Sequence, residues 1–547
     1  MTAITTTPLG SRLETALGRL TMYRLVLWVL AVLAGYSLLL NVLGWLTFGL
    51  PEMLVHLALC LGLTYASNRA LAALFHVRPH TESSLITGLL LYFLFWPSQL
   101  TQGLQVAELA GVALACVLAS ASKYALAWRG RHIFNPAAAG AFLAGLTGLN
   151  IATWWAATPA MLWLVLPGAL LVLYRIRKLP MAAVFTVIVV SIVSTELLRS
   201  GMELSEALWQ PLAQRPVLFF VGFMLIEPLT LPPRRWQQLA LAAVVAVLFA
   251  VPYNLGFVAN SPELALLVGN AFAFAVGQRG GVRLRFVGKR PLTPTTTEFS
   301  FRPERPVRFS PGQYLELHLP PGKADGKADG KADSNAGGEG SGAATGKAGG
   351  KPDGKGIRRM FSLTSAPGTP LLTIGVGTAE PVSSAKRSLL ALAPGDGLSA
   401  TTVGGDFILP RNPATPVLLI AAGIGITPYM AQLAGSPSGA SGGAATGGRD
   451  VVLLYLAKNP AELAYAEELQ RSGARVVARL ADGSVPPAFM KDAGAKRIDA
   501  SALKELVPDI AGREVYVSGS PASVRSLRAA ARGAGARRVH VDSFAGY

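Results

Sequence analysis

The chain reads as a multidomain protein: a polytopic α-helical membrane bundle of about ten spans, then an antiparallel β-barrel domain and an α/β domain. Three observations predict this. Hydrophobic residues fill 51% of the 547 positions and charged residues only 15%, whereas soluble globular chains carry about 25% charged residues. The apolar residues gather in long runs between Leu25 and Val276. After Gln278 the texture changes to short alternating strands, Gly/Pro turns and ordinary charge density.

Each run is then placed in order. Ten apolar segments cover about 25–47, 52–75, 83–98, 104–125, 133–149, 157–175, 180–198, 216–230, 237–256 and 262–277. Most reach the roughly 20 residues that cross a hydrocarbon core; the third, fifth and last are short and fit a buried or little-tilted helix. The first run is too long for a cleavable signal peptide and lacks an A-x-A site after it, so none is expected. Lys and Arg in short loops stay in the cytoplasm. With the N-terminus inside, Arg12, Arg19, Arg24, Arg69, Arg78, Lys123, Arg129, Arg131, Arg175, Arg177, Lys178, Arg234 and Arg235 fall on the cytoplasmic side, and only Arg199 and Arg215 fall outside. The expectation is a multi-pass protein of the cell inner (plasma) membrane with both termini cytoplasmic and membrane lipid as its surroundings.

The expected domains are a cytoplasmic segment 1–24, a transmembrane domain 25–278, a β-barrel domain 282–411 and an α/β domain 412–547. Residues 322–356 repeat Lys-Ala-Asp-Gly and then run Gly-rich, and 435–449 are Gly/Ser-rich. Neither has the apolar residues to offset ordering entropy, so both read as solvated loops.

Composition also excludes. Low hydrophobicity is a precondition for disorder, which most of this chain does not meet. Two cysteines, Cys60 and Cys116, both within apolar runs, rule out a disulfide scaffold and a cysteine-ligated iron–sulfur cluster from this chain alone. The net charge of +18 would point to nucleic acid only if the basic residues clustered on a soluble face. In sequence they lie beside apolar runs or spread through the C-terminal half, so no nucleic-acid partner is expected, and no metal site.

In the soluble half, VRFSPGQYLELHLP (307–320) reads as strand, Pro-Gly turn, strand, and RRMFSLTSAP (358–367) follows the insert. Strand alternation puts Arg359 and Phe361 on one face, with Ser362 on the other unless the strand ends there. A cation, an aromatic ring and a hydroxyl are what a pyrophosphate-bearing flavin needs. Further on, VLLIAAGIGITPYMAQL (417–433) is an apolar strand, a Gly-x-Gly turn and a helix start. Such glycines let the backbone approach a dinucleotide, and a helix N-terminus favours its phosphate. The plainer reading of each glycine is a turn, and of Ser362 a satisfied strand hydroxyl; three motifs in order argue for the site.

The R-x-[YF]-[ST] pattern, the preceding PGQY, PVSSAKRSL (381–389), PGDGLSATTVGGDF (394–407), VYVSGSP (515–521) and the terminal DSFAGY (542–547) resemble the ferredoxin–NADP reductase family over about residues 282–547. The resemblance implies an FAD-dependent NAD(P)H oxidoreductase. Arg359 would hold the FAD pyrophosphate, Phe361 would pack on the flavin or its ribityl chain, and Ser362 would hydrogen-bond near the flavin N5. Tyr314 would line the FAD site, and Val382, Ser383 and Ser384 would cradle the pyrophosphate. Gly423, Gly425, Thr427 and Pro428 would receive the NAD(P)H pyrophosphate, Gly519 and Pro521 would lie beside the nicotinamide, and Phe544 would cover the flavin. The family usually has Cys where this chain has Ser518, which with Ser362 is the catalytic candidate. Lys458, just past VVLLYLA, would meet a 2′-phosphate or simply be solvated, so NADH and NADPH both stay open.

The membrane half carries polar motifs of its own. His56, His76, His80 and His132 show no repeated spacing on two spans, which argues against bis-histidine haem. GRHIFNPAAAG (130–140) and FMLIEPLTLPP (223–233) set Asn135–Pro136 and Glu227–Pro228 at or inside spans. Such breaks are tolerated only where protein or a ligand re-satisfies the backbone, and an intramembrane carboxylate marks a site; a helix-end residue at the interface is the plainer reading of Glu227. These motifs and the span count resemble the RnfD subunit of the Rnf complex and the B subunit of the sodium-pumping NADH:quinone reductase over about residues 25–277. That resemblance implies FMN or riboflavin in the membrane domain, with FMN attached to a Thr of an S-G-A-T motif on the outer side. The chain has no such motif; WAATP (155–159) is nearest and offers Thr158. Trp154 and Trp155 could stack on a noncovalent flavin, but an interfacial aromatic belt is the better reading.

The function expected is therefore a membrane-bound reductase passing electrons from NAD(P)H through FAD to a membrane flavin, a quinone or an extracytoplasmic flavoprotein. A cytoplasmic reductase merely anchored or docked by its membrane half, and a reductase-coupled ion or solute transporter, stay open.

Overall fold

The computed structural model describes residues 22–77, 79–99, 106–128, 131–256, 258–278, 281–319, 357–380, 382–434 and 448–544. Nearly all of the expected segment 1–24, the insert 322–356 and most of 435–449 lie outside the described residues. The chain divides into two compact units, Met1–Arg279 and Gly280–Tyr547.

The first unit is helical: α1 (Met22–Val42), α2 (Leu50–Leu74), α3 (Thr81–Leu94), α4 (Val106–Ala125), α5 (Pro136–Gly145), α6 (Pro159–Ile176), α7 (Leu179–Arg199), α8 (Leu204–Ala213), α9 (Arg235–Ala250) and α10 (Pro262–Ala273). Prolines at the first helical positions of α2, α5, α6, α7 and α10 set their starts, because there the missing N–H costs nothing. Leu30, Met53, Phe93, Val112, Phe185 and Phe220 form a fully buried centre. Trp28, Leu39, Trp163 and Val187 point outward, more than half exposed or nearly so, an apolar exterior suited to lipid. Helices α4 and α5 approach closely: a Cβ on Gly140 would lie 2.6 Å from that of Ala119, the small-residue packing of membrane helices.

The ten expected spans are not ten helices of spanning length. Among the described residues, five (α1, α2, α4, α6 and α7) are long and apolar enough to cross a membrane. Thr81–Leu94, Pro136–Gly145, Arg235–Ala250 and Pro262–Gly277 are apolar but only 10–17 residues long. The segment 216–230 is broken into a helical turn (Val217–Phe219), a π-helical stretch (Phe220–Met224) and a 3-10 turn (Pro228–Thr230). Pro228 lacks the N–H that would continue the helix.

The second unit opens with a six-stranded antiparallel sheet: β1 (Val282–Thr293), β2 (Thr296–Pro303), β3 (Tyr314–Leu319), β4 (Ile357–Ser362), β5 (Leu372–Gly377) and β6 (Gly397–Gly404), in the order β4-β3-β6-β1-β2-β5. A bridge between Leu363 and Ile374 joins the two edges, which closes the described strands as a barrel. Phe286, Phe299, Phe301, Leu315 and Leu317 fill it, and α11 (Ser384–Leu390) adds Ala385 and Leu389.

A parallel sheet follows: β7 (Val417–Ala422), β8 (Val451–Ala457), β9 (Arg475–Leu480), β10 (Lys491–Asp492), β11 (Glu514–Gly519) and β12 (Arg538–Ser543), in the order β10-β9-β8-β7-β11-β12. Its helices are α12 (Thr427–Leu433), α13 (Ala466–Arg471), α14 (Ala500–Leu506) and α15 (Pro521–Gly533). Val417, Leu419 and Ala421 face one apolar core, and Leu418 and Ile420 the other, so both faces are covered, as a parallel sheet requires. The strand order reverses between β7 and β11, the crevice where open α/β sheets bind ligands.

Candidate functional site

The carboxyl ends of β7 and β11 bring the nucleotide motifs together. Gly423 adopts φ +55°, a conformation that disfavours side chains, and opens a 3-10 turn, Gly423–Ile426, before α12. Gly425 packs so closely on β11 that a Cβ would collide with the Ser518 carbonyl and sit 2.7 Å from the Gly519 nitrogen. Thr427 is buried and donates to the Ile424 carbonyl at 3.0 Å, while Pro428 starts α12. Gly519 has φ +153°, and a Cβ there would lie 2.9 Å from Ala422. Pro521 is the first residue of α15, whose cap Ser520 accepts from the Ser523 N–H. The Phe544 N–H donates to the Gly519 carbonyl at 3.0 Å, which sets this aromatic beside the same strand end. Ser518 is fully buried and its hydroxyl has no hydrogen-bond partner among the described residues. An unmet buried hydroxyl costs free energy.

The barrel motifs meet on β3 and β4. Their register pairs Tyr314 with Ser362, Leu315 with Phe361, and Leu317 with Arg359. Arg359 and Phe361 therefore share one face, and Ser362 shares the other with Tyr314, as alternation predicts. Ser362 is buried and Phe361 half-buried. Arg359 donates to the Arg358 carbonyl at 2.8 Å, and burial lowers its pKa from the usual arginine value. A half-desolvated guanidinium is well placed to gain from an anion. The Pro311–Gly312 turn is shaped by Gly312 at φ +91°, and Gln313 ties it to the barrel by donating to the Gly405 carbonyl at 3.1 Å. Ser383 is the N-terminal residue of α11 without a capping bond, and Ser384 is its first helical residue. Val382 donates to the Glu380 carboxylate at 2.9 Å, so an acid occupies an amide that the pyrophosphate cradle was expected to offer. Lys458 lies just past β8 and is exposed.

In the helical unit, Asn135 caps α5 by accepting from Ala138, its own N–H donates to Asn270 Oδ1 at 2.7 Å, and its amide reaches the Met224 carbonyl. Glu227 accepts from His132 Nε2 at 2.8 Å, and its second oxygen is buried with no partner among the described residues. Asn135, Pro136, Glu227 and Pro228 line one cavity of about 520 Å³, part of it open to solvent, with Tyr23, Ser83 and Thr87. Glu227 does stand at a helix end, as the residue that caps the Pro228–Thr230 turn, but it is paired there, and only 16% of its side chain is exposed. Thr158 begins α6, and its buried hydroxyl also lacks a partner, at a small cavity that includes Arg215 and Phe219. The aromatic-belt reading of the tryptophans is corrected too. Trp154 and Trp155 are buried, donating to Glu263 at 2.6 Å and to the Tyr92 carbonyl at 2.7 Å. They belong to the core because their N–H groups find partners inside it.

Sequence reasoning missed three residues. His132 was weighed only as a haem ligand, though it lies three positions before Asn135. Asn270 carried no motif. Tyr465, at φ +62°, has its hydroxyl 2.7 Å from where a Gly375 Cβ would stand, beside the Thr427 methyl; only the absence of a side chain at Gly375 hinted at it. Among the described residues, no group of three or more His, Cys, Asp or Glu side chains could hold a metal ion.

No family model matches the chain. A flavohemoprotein of Bacillus subtilis (strain 168) is 26% identical over 193 residues, 34% of this chain and 46% of that protein. The stachydrine N-demethylase reductase subunit Stc4 of Rhizobium meliloti (strain 1021) is 27% identical over 272 residues, 48% of this chain and 66% of the relative. The chain thus spans about half to two thirds of the length of these curated relatives. Among solved structures, a ferredoxin NADP+ reductase from Neisseria gonorrhoeae with bound FAD and NADP aligns at 16% identity and TM-score 0.36, covering 48% of this chain and 98% of that one. The flavohem-like FAD/NAD-binding domain of a Vibrio cholerae O1 biovar El Tor nitric oxide dioxygenase aligns at 18% identity and TM-score 0.35, with the same coverage. The closed barrel, the parallel sheet and the curated relatives agree on a ferredoxin reductase-type FAD/NAD(P)-binding module in the second unit, and the first unit has, among the described residues, five helices of membrane-spanning length.

Proposed function

We propose that the chain is a membrane-bound, flavin-dependent NAD(P)H oxidoreductase that passes electrons from NAD(P)H through FAD into its helical unit. The meeting of the Gly423–Pro428 turn with Ser518, Gly519 and Phe544 at the strand-order reversal carries this reading. The residues fit the groups: Gly425 leaves the space that a Cβ would fill, Arg359 offers a half-buried cation, and Ser518 an unmet hydroxyl. Bound FAD supplies the exchange of a hydride for single electrons. Arg359, with the amides at Val382–Ser384, would neutralise its pyrophosphate, Glu380 giving way. Tyr314 and Ser362 would orient the ring from one strand face. The short turn from Gly423 would lay the dinucleotide across β7, and Ser518 would fix the nicotinamide side by its hydroxyl. Phe544 would exclude water from the flavin.

For the helical unit we infer an RnfD-like and NqrB-like domain of the inner membrane, with both termini cytoplasmic and a flavin, FMN or riboflavin, as the next carrier. Support comes from the two Pro-containing breaks, 92 residues apart in sequence, lining one cavity beside the unpartnered Glu227 oxygen. The unmet Thr158 hydroxyl supports an attachment point on the outer side, although Trp155 and Ala156 stand where the family's motif has small residues. The final acceptor would be quinone or an extracytoplasmic flavoprotein.

Cofactor extraction from detergent-solubilised protein tests the reading. Two flavins per chain are expected. A single FAD would reduce the helical unit to an anchor, and flux persisting in Arg359→Ala protein that has lost FAD would make it a transporter. Covalent flavin should make the denatured gel band fluoresce under ultraviolet light; a dark band ends the Thr158 assignment.

A further inference from the structure

Strand alternation puts Arg283, Arg285 and Val287 of β1 on the solvent side, away from the buried Leu284 and Phe286. The register sets Arg302 of β2 directly across from Arg285. Arg305 and Arg308 follow in the exposed segment after β2. Counter-charge on this face is scarce. Glu304 stands 4.0 Å from Arg283, but Arg285, Arg302, Arg305 and Arg308 make no ion pair with any described residue. On the other flank of β1, β6 sets the uncharged Gly397 and Ser399 opposite Arg285 and Arg283. Like charges directly opposite each other on antiparallel strands repel, and an anion between Arg285 and Arg302 removes that repulsion. Sequence spacing hid the cluster, because register brings the two arginines together; the expectation that basic residues do not gather on a soluble face is corrected here.

We propose that this face of β1 and β2 binds the phosphate headgroups of anionic phospholipid. The inference rests on the reading above that the first unit spans a membrane. Only three residues separate Gln278, the end of that unit's last helical turn, from Val282, where β1 begins. That is about 14 Å of extended chain, so headgroups are within reach of the first arginines of the strand. Guanidinium groups hold phosphate oxygens through paired N–H donors better than ammonium groups do, and this face carries arginine alone; Lys289 lies beyond the irregularity in β1 and donates to the Leu390 carbonyl. The attraction is confined to about a Debye length, roughly 8–10 Å, so the face acts only when close to the lipid surface.

The test uses the full chain in lipid nanodiscs, with a fluorophore attached through Val287→Cys and nitroxide quenchers on the headgroups. Quenching is expected to be stronger with phosphatidylglycerol than with phosphatidylcholine alone, and to fall in 0.5 M salt (about a 4 Å screening length). Arg285→Gln and Arg302→Gln should each lower the ratio of lipid-held to free face by about fivefold, leaving NAD(P)H oxidation by a soluble dye unchanged. Equal quenching in both lipids overturns the proposal, as does a lipid-independent complex with an RNA oligomer or an acidic protein at the same face. Failure of the chain to enter nanodiscs at all would instead strike the membrane reading.

Discussion

Gly425 lies against the carbonyl of Ser518 with no room for a single added carbon. The contact keys the glycine turn after β7 to the end of β11, so substitution should displace the turn without touching the barrel. Overpacking at such a point costs about 1–3 kcal/mol. Gly425→Ala protein should keep its FAD absorbance, while its KM for NAD(P)H rises about tenfold or more, the same 1–3 kcal/mol read as binding. An unchanged KM would mean that the dinucleotide does not use this turn.

Ser518 offers a sharper contrast between stability and activity. Its hydroxyl is buried without a partner among the described residues, so Ser518→Ala removes an unmet polar group and should leave the thermal midpoint equal or higher. If the hydroxyl engages the nicotinamide, the same variant should lose about tenfold in the rate of flavin reduction, the worth of one hydrogen bond. Stopped-flow absorbance at the flavin band measures it. Ser518→Cys, which restores the residue usual in the resembling family, should retain more of the rate than alanine does.

Arg359 should govern FAD retention. Charge-assisted hydrogen bonds are worth about 1.5–3 kcal/mol, so Arg359→Ala should weaken FAD binding by roughly ten- to a hundredfold. Arg359→Lys should recover only part, since an ammonium cannot hold two phosphate oxygens with a planar fork. Equilibrium dialysis of the flavin-stripped protein against FAD reads both.

Legibility followed locality. The barrel strands and the glycine turn were readable as structure because each signal lies within fewer than ten consecutive residues, and strand alternation alone placed Arg359 and Phe361 together. The span count was not readable. Hydropathy scores 216–230 as apolar whether or not it is helical, and the break comes from Pro228 and a π-helical stretch that Phe220–Met224 does not announce. Long-range partners were equally hidden: nothing near Glu227 in sequence indicates His132, 95 positions earlier. The tryptophans misled because their partners, Glu263 and the Tyr92 carbonyl, come from distant helices.

Acid should weaken the second unit through Asp509. Arg513, only 3% of its side chain exposed, holds Asp509 at 2.7 Å and also engages Asp450, and it keeps the Asp509 carboxyl below the usual range. A depressed folded pKa means that the unfolded chain binds the proton more readily. The contribution is therefore complete above about pH 4, the unfolded value, and disappears as pH falls through the lowered one. With Asp509 more than half exposed, it should stay under about 1 kcal/mol. Pulse proteolysis in urea should show wild type ahead of Asp509→Asn at pH 6 and level with it near pH 2; a gap that persists in acid would place the cause elsewhere.

The pair His132–Glu227 separates a structural role from a ligand role at the cavity of the helical unit. Glutamine at position 227 can still accept from His132 through its amide oxygen, so Glu227→Gln should cost little stability. Glu227→Leu strands the imidazole N–H and should cost about 1–3 kcal/mol, the penalty for a buried donor left without its acceptor. If the free carboxylate oxygen serves a bound carrier, Glu227→Gln should lower occupancy of the second flavin and slow quinone reduction while dye reduction by FAD continues at the wild-type rate. His132→Gln should show the reverse order, losing stability before occupancy, because the imidazole reaches the cavity only through Glu227. Flavin stoichiometry, quinone reduction and dye reduction on the same preparations distinguish the cases. If Glu227→Gln leaves all three unchanged, the cavity is packing, and electrons leave FAD by another route.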